Sequence, residues 1–127
     1  MTERQEAASR MAFAAYMHDL GKLAERARIN IEQKDIDTHK QEYCPKNSKT
    51  GHWTHVHAAY TALALDKLEP YLPKLKDVSF SPFANALTRG ADDSLINAAA
   101  RHHRPETFLQ WIIATADRVA SGFEREA

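Results

Sequence analysis

This chain has one cysteine, no excess of charge of either sign and no apolar run of membrane-spanning length, and each shortage narrows what it can be. The single thiol, Cys44, cannot close an internal disulfide and is compatible with a reducing cytoplasm, where the protein is expected to work. Seventeen basic and seventeen acidic residues cancel, so no global field draws the chain to nucleic acid or to a membrane. Any nucleic-acid contact has to be local. No stretch approaches the ~20 apolar residues of a membrane helix. Residues 1–10 mix charges of both signs and hold no apolar segment, so they do not read as a signal peptide. There is no internal repeat and no low-complexity tract. A length of 127 residues suits one domain with a real core.

Histidine is what the chain has in quantity: seven in all, with His18, His39, His52, His55 and His57 before residue 60 and His102-His103 together later. The most informative stretch is Met17-His18-Asp19-Leu20-Gly21-Lys22. Imidazole and carboxylate are well suited to holding a divalent metal together. Adjacent helical residues point about 100° apart, so the pair grips one ion from two sides or serves two neighbouring ions. Ala14 and Ala15, one turn earlier, let another helix approach. A helix end with an exposed Asp and a solvated His explains the stretch as well.

Residues 3–28 read as one long helix, with Met11, Ala14, Ala15, His18 and Lys22 along one flank. Gly21 weakens such a helix by about 1 kcal/mol against alanine. Either something passes close to its backbone, or the helix kinks or ends there. Residues 29–54 are polar, with a short helix around 30–36 and then a loop to Gly51. Cys44 with His39 and His52 lacks the second cysteine and the tight pair spacing of a zinc site. Thr54 looks like the cap of a helix over 55–69. Two histidines two apart in its first turn cannot share a face. At most one of them is expected at any one site, and His57, followed by Tyr60, Thr61 and Ala64, is the first choice.

Residues 71–81 read as a linker with an extended piece at Val78–Phe80, and Ser81-Pro82 as the start of a short helix to Arg89 that Gly90 stops. Asp92, Asp93 or Ser94 caps the next helix, from Leu95 to about His103. The last helix starts near Pro105 and carries an apolar stripe through Phe108, Ile112, Ile113, Ala116, Ala120 and Phe123. Asp117 lies on or beside that stripe. A buried carboxylate costs several kcal/mol unless paired or coordinated, so Asp117 either bridges to Arg101, Arg104 or Arg118 or binds a metal.

His18-Asp19, a histidine at 55 or 57, His102-His103 and Asp117 thus fall on four separate helices. Helical bundles build metal sites by aiming such side chains inward. Here His18-Asp19-Leu20-Gly21-Lys22, His102-His103-Arg104-Pro105 and Ala116-Asp117-Arg118 resemble the HD superfamily of metal-dependent phosphohydrolases. Most members place a metal-binding histidine before the His-Asp pair, and no histidine precedes His18. The missing ligand falls instead in Thr54-His55-Val56-His57-Ala58-Ala59-Tyr60-Thr61, an order similar to the circularly permuted HD domain at the N-terminus of the large signature subunit of type III CRISPR (Csm/Cmr-type) effector complexes. Ala116 to Glu124 looks like the point where that domain hands over to the next.

The resemblance implies an all-α, circularly permuted HD bundle of about five or six helices, spanning residues 1–127 as an N-terminal piece of a larger subunit. It implies a metal-dependent nuclease for single-stranded DNA, working with the guide RNA and other subunits of a type III complex. The cyclase Gly-Gly-Asp-Asp signature is absent, so cyclic oligoadenylate synthesis does not reside here. One or two ions would be held by His18, Asp19, His57, His102, His103 and Asp117, with His55 as a further ligand or a neighbour of one. A histidine-rich set suits manganese, nickel, cobalt or iron better than magnesium. Asp19 would bridge or orient water, and Lys22 would meet phosphate charge. Lys40, Lys46, Lys49, Arg101 and Arg104 offer a basic approach, and Trp53 a surface for base stacking. The competing readings are an HD phosphohydrolase for small nucleotides and a non-catalytic helical interaction domain.

Overall fold

The computed structural model describes residues 2–71, 81–84 and 93–126. Six α-helices make up most of them: α1 (Glu3–Met17), α2 (Leu20–Arg26), α3 (Gln33–Tyr43), α4 (His57–Leu68), α5 (Leu95–Ala100) and α6 (Phe108–Glu126). Two 3-10 turns, Glu69–Tyr71 and Arg101–His103, extend α4 and α5. No strand occurs among the described residues, in which an isolated antiparallel bridge joins Lys46 to Trp53. The expectation of an all-α HD-type bundle holds. None of these helices is long and apolar enough to cross a membrane.

Two central helices organise the bundle. Every residue of α5 is buried, as are Ala58, Ala59, Thr61, Ala62, Leu63, Ala64 and Leu65 of α4. A helix apolar all round belongs inside. Tyr43, Cys44, Leu65, Leu95, Ile96 and Ile113 complete a core into which α1 sends Ala14. The α5 start is capped by Ser94, whose Oγ accepts from the Asn97 amide at 3.1 Å, and Tyr43 Oη donates to Asn97 Oδ1 at 2.7 Å. Thr2 and Gln5 close a reciprocal capping box on α1.

The first helix is not continuous over 3–28. It stops at Met17, and Asp19 leaves the helical region (φ −103°, ψ 11°) before α2 begins. A hydroxyl from α4 holds the break open. Thr61 Oγ1 donates to the His18 carbonyl at 3.0 Å and accepts from the Gly21 amide at 2.8 Å, replacing helical partners. Gly21 is there for close approach: a Cβ would overlap the His57 carbonyl oxygen and sit 2.5 Å from the Thr61 nitrogen.

Three other boundaries differ from expectation. The helix placed around 30–36 runs over Gln33–Tyr43 instead, and 45–54 form a small hairpin. In that hairpin Asn47 N donates to the His52 carbonyl at 2.9 Å and Thr54 N to the Pro45 carbonyl at 2.9 Å. Helix α4 begins at His57 rather than 55, because His55 adopts φ 53°, outside any helix. Ser81-Pro82, joined by a cis peptide, sit in a turn rather than at a helix start. Val78–Phe80, Arg89, Gly90 and Asp92 lie outside the described residues.

Helix α6 also turns differently from the expected stripe. Gln110 is buried because its Oε1 accepts from the Glu106 and Thr107 amides at 2.8 and 3.3 Å, closing the helix start. That register brings Ile113 and Ala114 inward one turn later and Asp117 after them. Phe108, Ile112, Ala116 and Ala120 are exposed instead, and Phe123 lies outside the residues whose side chains are described.

Candidate metal centre

Four separate elements aim histidine nitrogens and carboxylates into one cleft of about 630 Å³. His18 and Asp19 come from the break between α1 and α2, His57 from the first turn of α4, His102 and His103 from the 3-10 turn after α5, and Asp117 from α6. His18 Nε2 lies 3.1 Å from Asp117 Oδ1 and 3.3 Å from Asp19 Oδ2. The other Asp19 oxygen lies 3.4 Å from His57 Nε2 and 3.6 Å from His102 Nε2. His57 Nε2 is in turn 3.3 Å from His102 Nε2 and 3.1 Å from His103 Nε2.

Backbone carbonyls decide where the imidazole protons sit. His102 Nδ1 lies 2.9 Å from the Ala99 carbonyl, and His18 Nδ1 contacts that of Ala15. A carbonyl can only accept, so Nδ1 carries a proton in each ring, and for the neutral His102 ring this leaves the lone pair at Nε2. Burial, then His103, pushes the His102 pKa down to about 3, so this ring is neutral at physiological pH. Burial, then His55 and His57, takes His103 down to about 4, and burial lowers His57 as well. Burial pushes Asp19 up, but His18, Lys22 and His102 outweigh it and its pKa lies below the ordinary carboxylate value.

The consequence is a cleft where acceptors face acceptors. The His102 lone pair points among His57 and the Asp19 carboxylate, and His18 Nε2 lies between the carboxylates of Asp19 and Asp117. Such an arrangement is poor for a bare protein and well matched to a cation. Three triads offer one ligand atom each within 4.8 Å of the others: His18, Asp19 and His102; His102, His103 and Asp117; and His55, His57 and His103. The residues present therefore fit a divalent metal, and the Nδ1–carbonyl bonds are the outer contacts that orient histidine ligands.

Both members of the 55/57 pair reach the cleft, contrary to the rule that two apart cannot share a face. The rule needs a helix, and His55 precedes it at φ 53°. Its ring stacks on His103 with centroids 3.7 Å apart. Lys22 Nζ lies 3.3 Å from Asp19 Oδ2 at the rim. Asp117 pairs with His18 rather than with an arginine.

The expected basic approach is only partly assembled. Lys46, Trp53 and Arg104 line a neighbouring cleft, and Lys49 is exposed on the hairpin, its amide donating to Asn47 Oδ1 at 2.8 Å. Arg101 does not belong with them. It is buried, its guanidinium 3.5 Å from both Glu42 and Glu106 and over the Tyr43 ring. Sequence reasoning missed the acids that hold it, and Thr61 as the residue that shapes the His18-Asp19 break. Cys44 and His39 are buried apart from the centre: Cys44 Sγ donates to the His55 carbonyl, and His39 Nδ1 contacts the Asp35 carbonyl.

Residues 1–122 match the family model described as Cas3, HD domain. No curated protein and no solved structure matches the chain. The match spans nearly the whole chain, and the His-Asp pair, the later double histidine and the last-helix aspartate meet in a cleft suited to a divalent metal. The chain belongs to the Cas3 HD-domain family, a CRISPR-associated branch of the metal-dependent HD hydrolases.

Proposed function

We propose that this HD domain is a nuclease that hydrolyses phosphodiester bonds of single-stranded DNA, and that it serves a type III CRISPR complex as the N-terminal domain of its large subunit. The observation that carries the hydrolytic reading is the convergence of the His18 and His102 Nε2 atoms with the Asp19 and Asp117 carboxylates in an open cleft. His18, Asp19, His57, His102, His103 and Asp117 would hold one or two ions, with His55 against His103. When bound, the metal lowers the pKa of a water and polarises the phosphoryl oxygens.

The chain's own residues do the rest. Asp19, within reach of three imidazoles and Lys22, is placed to accept a proton or orient a water at its carboxylate. Lys22, with its side chain half exposed at the rim, brings an ammonium toward phosphate charge. Lys46, Trp53 and Arg104 line a neighbouring cleft from which a strand would enter, and Lys49 is exposed on the same hairpin as Lys46 and Trp53. The histidine-rich donor set favours manganese, nickel, cobalt or iron. Support for the type III placement is the order of the donors. After the His18-Asp19 pair, α4 supplies histidines of the kind that most HD proteins place before that pair.

Cleavage of end-labelled single-stranded DNA by the purified chain, with manganese, nickel or chelator and beside Asp19→Ala, tests the reading. Metal-dependent cutting that disappears in the variant is expected. Faster hydrolysis of mononucleotides than of oligonucleotides would overturn the polymer assignment. Absence of tight metal in protein prepared without chelator would leave a helical interaction domain.

A further inference from the structure

Three clefts follow one another across this face, and each shares residues with the next. Pro45 bounds the metal centre and also lines a cleft of about 730 Å³ with Gln41, Lys46, Trp53 and Arg104. By different residues, Lys22 and His57, the centre also adjoins a third cleft of about 380 Å³ that adds Glu25 and Arg26. The centre therefore has a neighbouring cleft at each of two edges, and each of these arms carries two cations: Lys46 and Arg104 in one, Lys22 and Arg26, beside Glu25, in the other. This pairing is local and invisible in a net charge of zero.

The first arm is rigidly built. The backbone bridge sets Lys46 beside Trp53, whose indole packs in part against the core while the Lys46 ammonium sits 5.2 Å from its ring centroid. Arg104 Nη1 donates to the Gln41 carbonyl at 2.6 Å, which steadies the guanidinium in the same cleft. Trp53 stands two residues before His55 and Arg104 directly after His103, so both are tied by short tethers to residues of the centre. An aromatic face with flanking cations is a single-strand platform: the ring takes a base and the cations take phosphates.

We infer that a single strand crosses the metal centre instead of ending in it, with a base on Trp53 and phosphates on Lys46 and Arg104 at one side, and a phosphate on Lys22 and Arg26 at the other. This deepens the nuclease reading and rests on it. A mononucleotide occupies the central cleft and one arm at most. A strand held on both arms places the scissile phosphate between bound nucleotides, so discrimination in favour of a polymer comes from surfaces on both sides of the metal.

The test is binding without chemistry: fluorescence anisotropy of a labelled oligothymidylate of about 12 nucleotides with the full chain in chelator. Trp53→Ala should weaken binding by about tenfold, while Trp53→Phe, which keeps a ring, should retain most of it. Lys46→Glu and Arg26→Glu, one exposed residue on each arm, should each weaken binding and lessen its salt dependence. Loss in only one of these two charge variants, or in neither, would overturn the crossing. So would a wild-type chain that does not bind the strand. Hydrolysis of bis(4-nitrophenyl) phosphate by the wild type with manganese separates the two readings. Hydrolysis with the charge variants binding normally would sink the track alone. Two-armed binding without hydrolysis would sink the nuclease and leave the track.

Discussion

At the scale of single residues, Asp19 joins three imidazoles and a lysine in the centre. One of its oxygens faces His18 and Lys22, the other His57 and His102. Asp19→Asn keeps the shape and removes the charge. Even residues that merely orient ligands change metal affinity by about 10- to 100-fold, so this substitution should lower manganese affinity and cleavage by at least about 100-fold. Calorimetric titration and single-strand cleavage check it, with circular dichroism expected to stay unchanged. The neighbouring imidazoles set a pH dependence. His102 and His103 titrate at about 3 and about 4 in the folded chain, against 6.5 for an unburied histidine. Between those values the unfolded chain binds protons that the native chain refuses, so acid favours unfolding. The metal-free protein should hold full stability above about pH 6.5 and lose it progressively toward pH 4, as thermal melts in chelator would show. A melting temperature flat across that window would contradict the burial of neutral rings.

At the scale of elements, the contact between α2 and α4 sets the aim of the site. Gly21 packs its backbone on the His57 carbonyl and Thr61, and Thr61 bonds both sides of the His18-Asp19 break. Gly21→Ala forces a methyl into a neighbouring backbone, which has no flexible end to give way. It should cost about 3 kcal/mol of stability and displace His57, lowering metal affinity as well. Gly122→Ala is the contrast. Nothing lies within 4 Å of a Cβ there, so the substitution should stabilise α6 by up to about 1 kcal/mol. Denaturant titration of both variants measures the difference. Part of this was legible beforehand: a glycine inside an alanine-rich run signals close approach. What was not legible was its consequence, because the partner that splits the helix is a hydroxyl forty positions away. The arrival of His55 beside His57 in the cleft was hidden for a related reason. Side chains two apart diverge on a helix, but the φ of 53° at His55 is a backbone state that residue types alone do not dictate. The α6 face was misjudged because its apolar residues outnumber its buried ones, and a polar capping residue, Gln110, sets which side turns inward.

For the whole molecule, residue chemistry announced the centre while position along the chain concealed it. His18 and Asp117, 99 positions apart, meet at 3.1 Å, and only the placement of α4 and α5 in the core brings them there. Arg101 shows the limit of reading charge without a fold, since its cation is matched from α3 by Glu42 and never reaches the solvent side. The same long-range geometry makes the metal a structural matter. A cation bound among these donors ties the α1–α2 break, α4, the turn after α5, and α6 at one point, and it relieves lone pairs that face one another when the cleft holds none. The unfolded chain has no such set, so binding is linked to folding. Manganese at about 100 times its dissociation constant should raise stability by about 2.7 kcal/mol, or roughly 10 °C in melting temperature for a chain of this size. The rise should continue with the logarithm of metal concentration and vanish in Asp19→Asn. Scanning fluorimetry across a manganese series measures it directly. A melting temperature that ignores manganese in the wild type would mean that the histidines and carboxylates share the cleft without binding a metal.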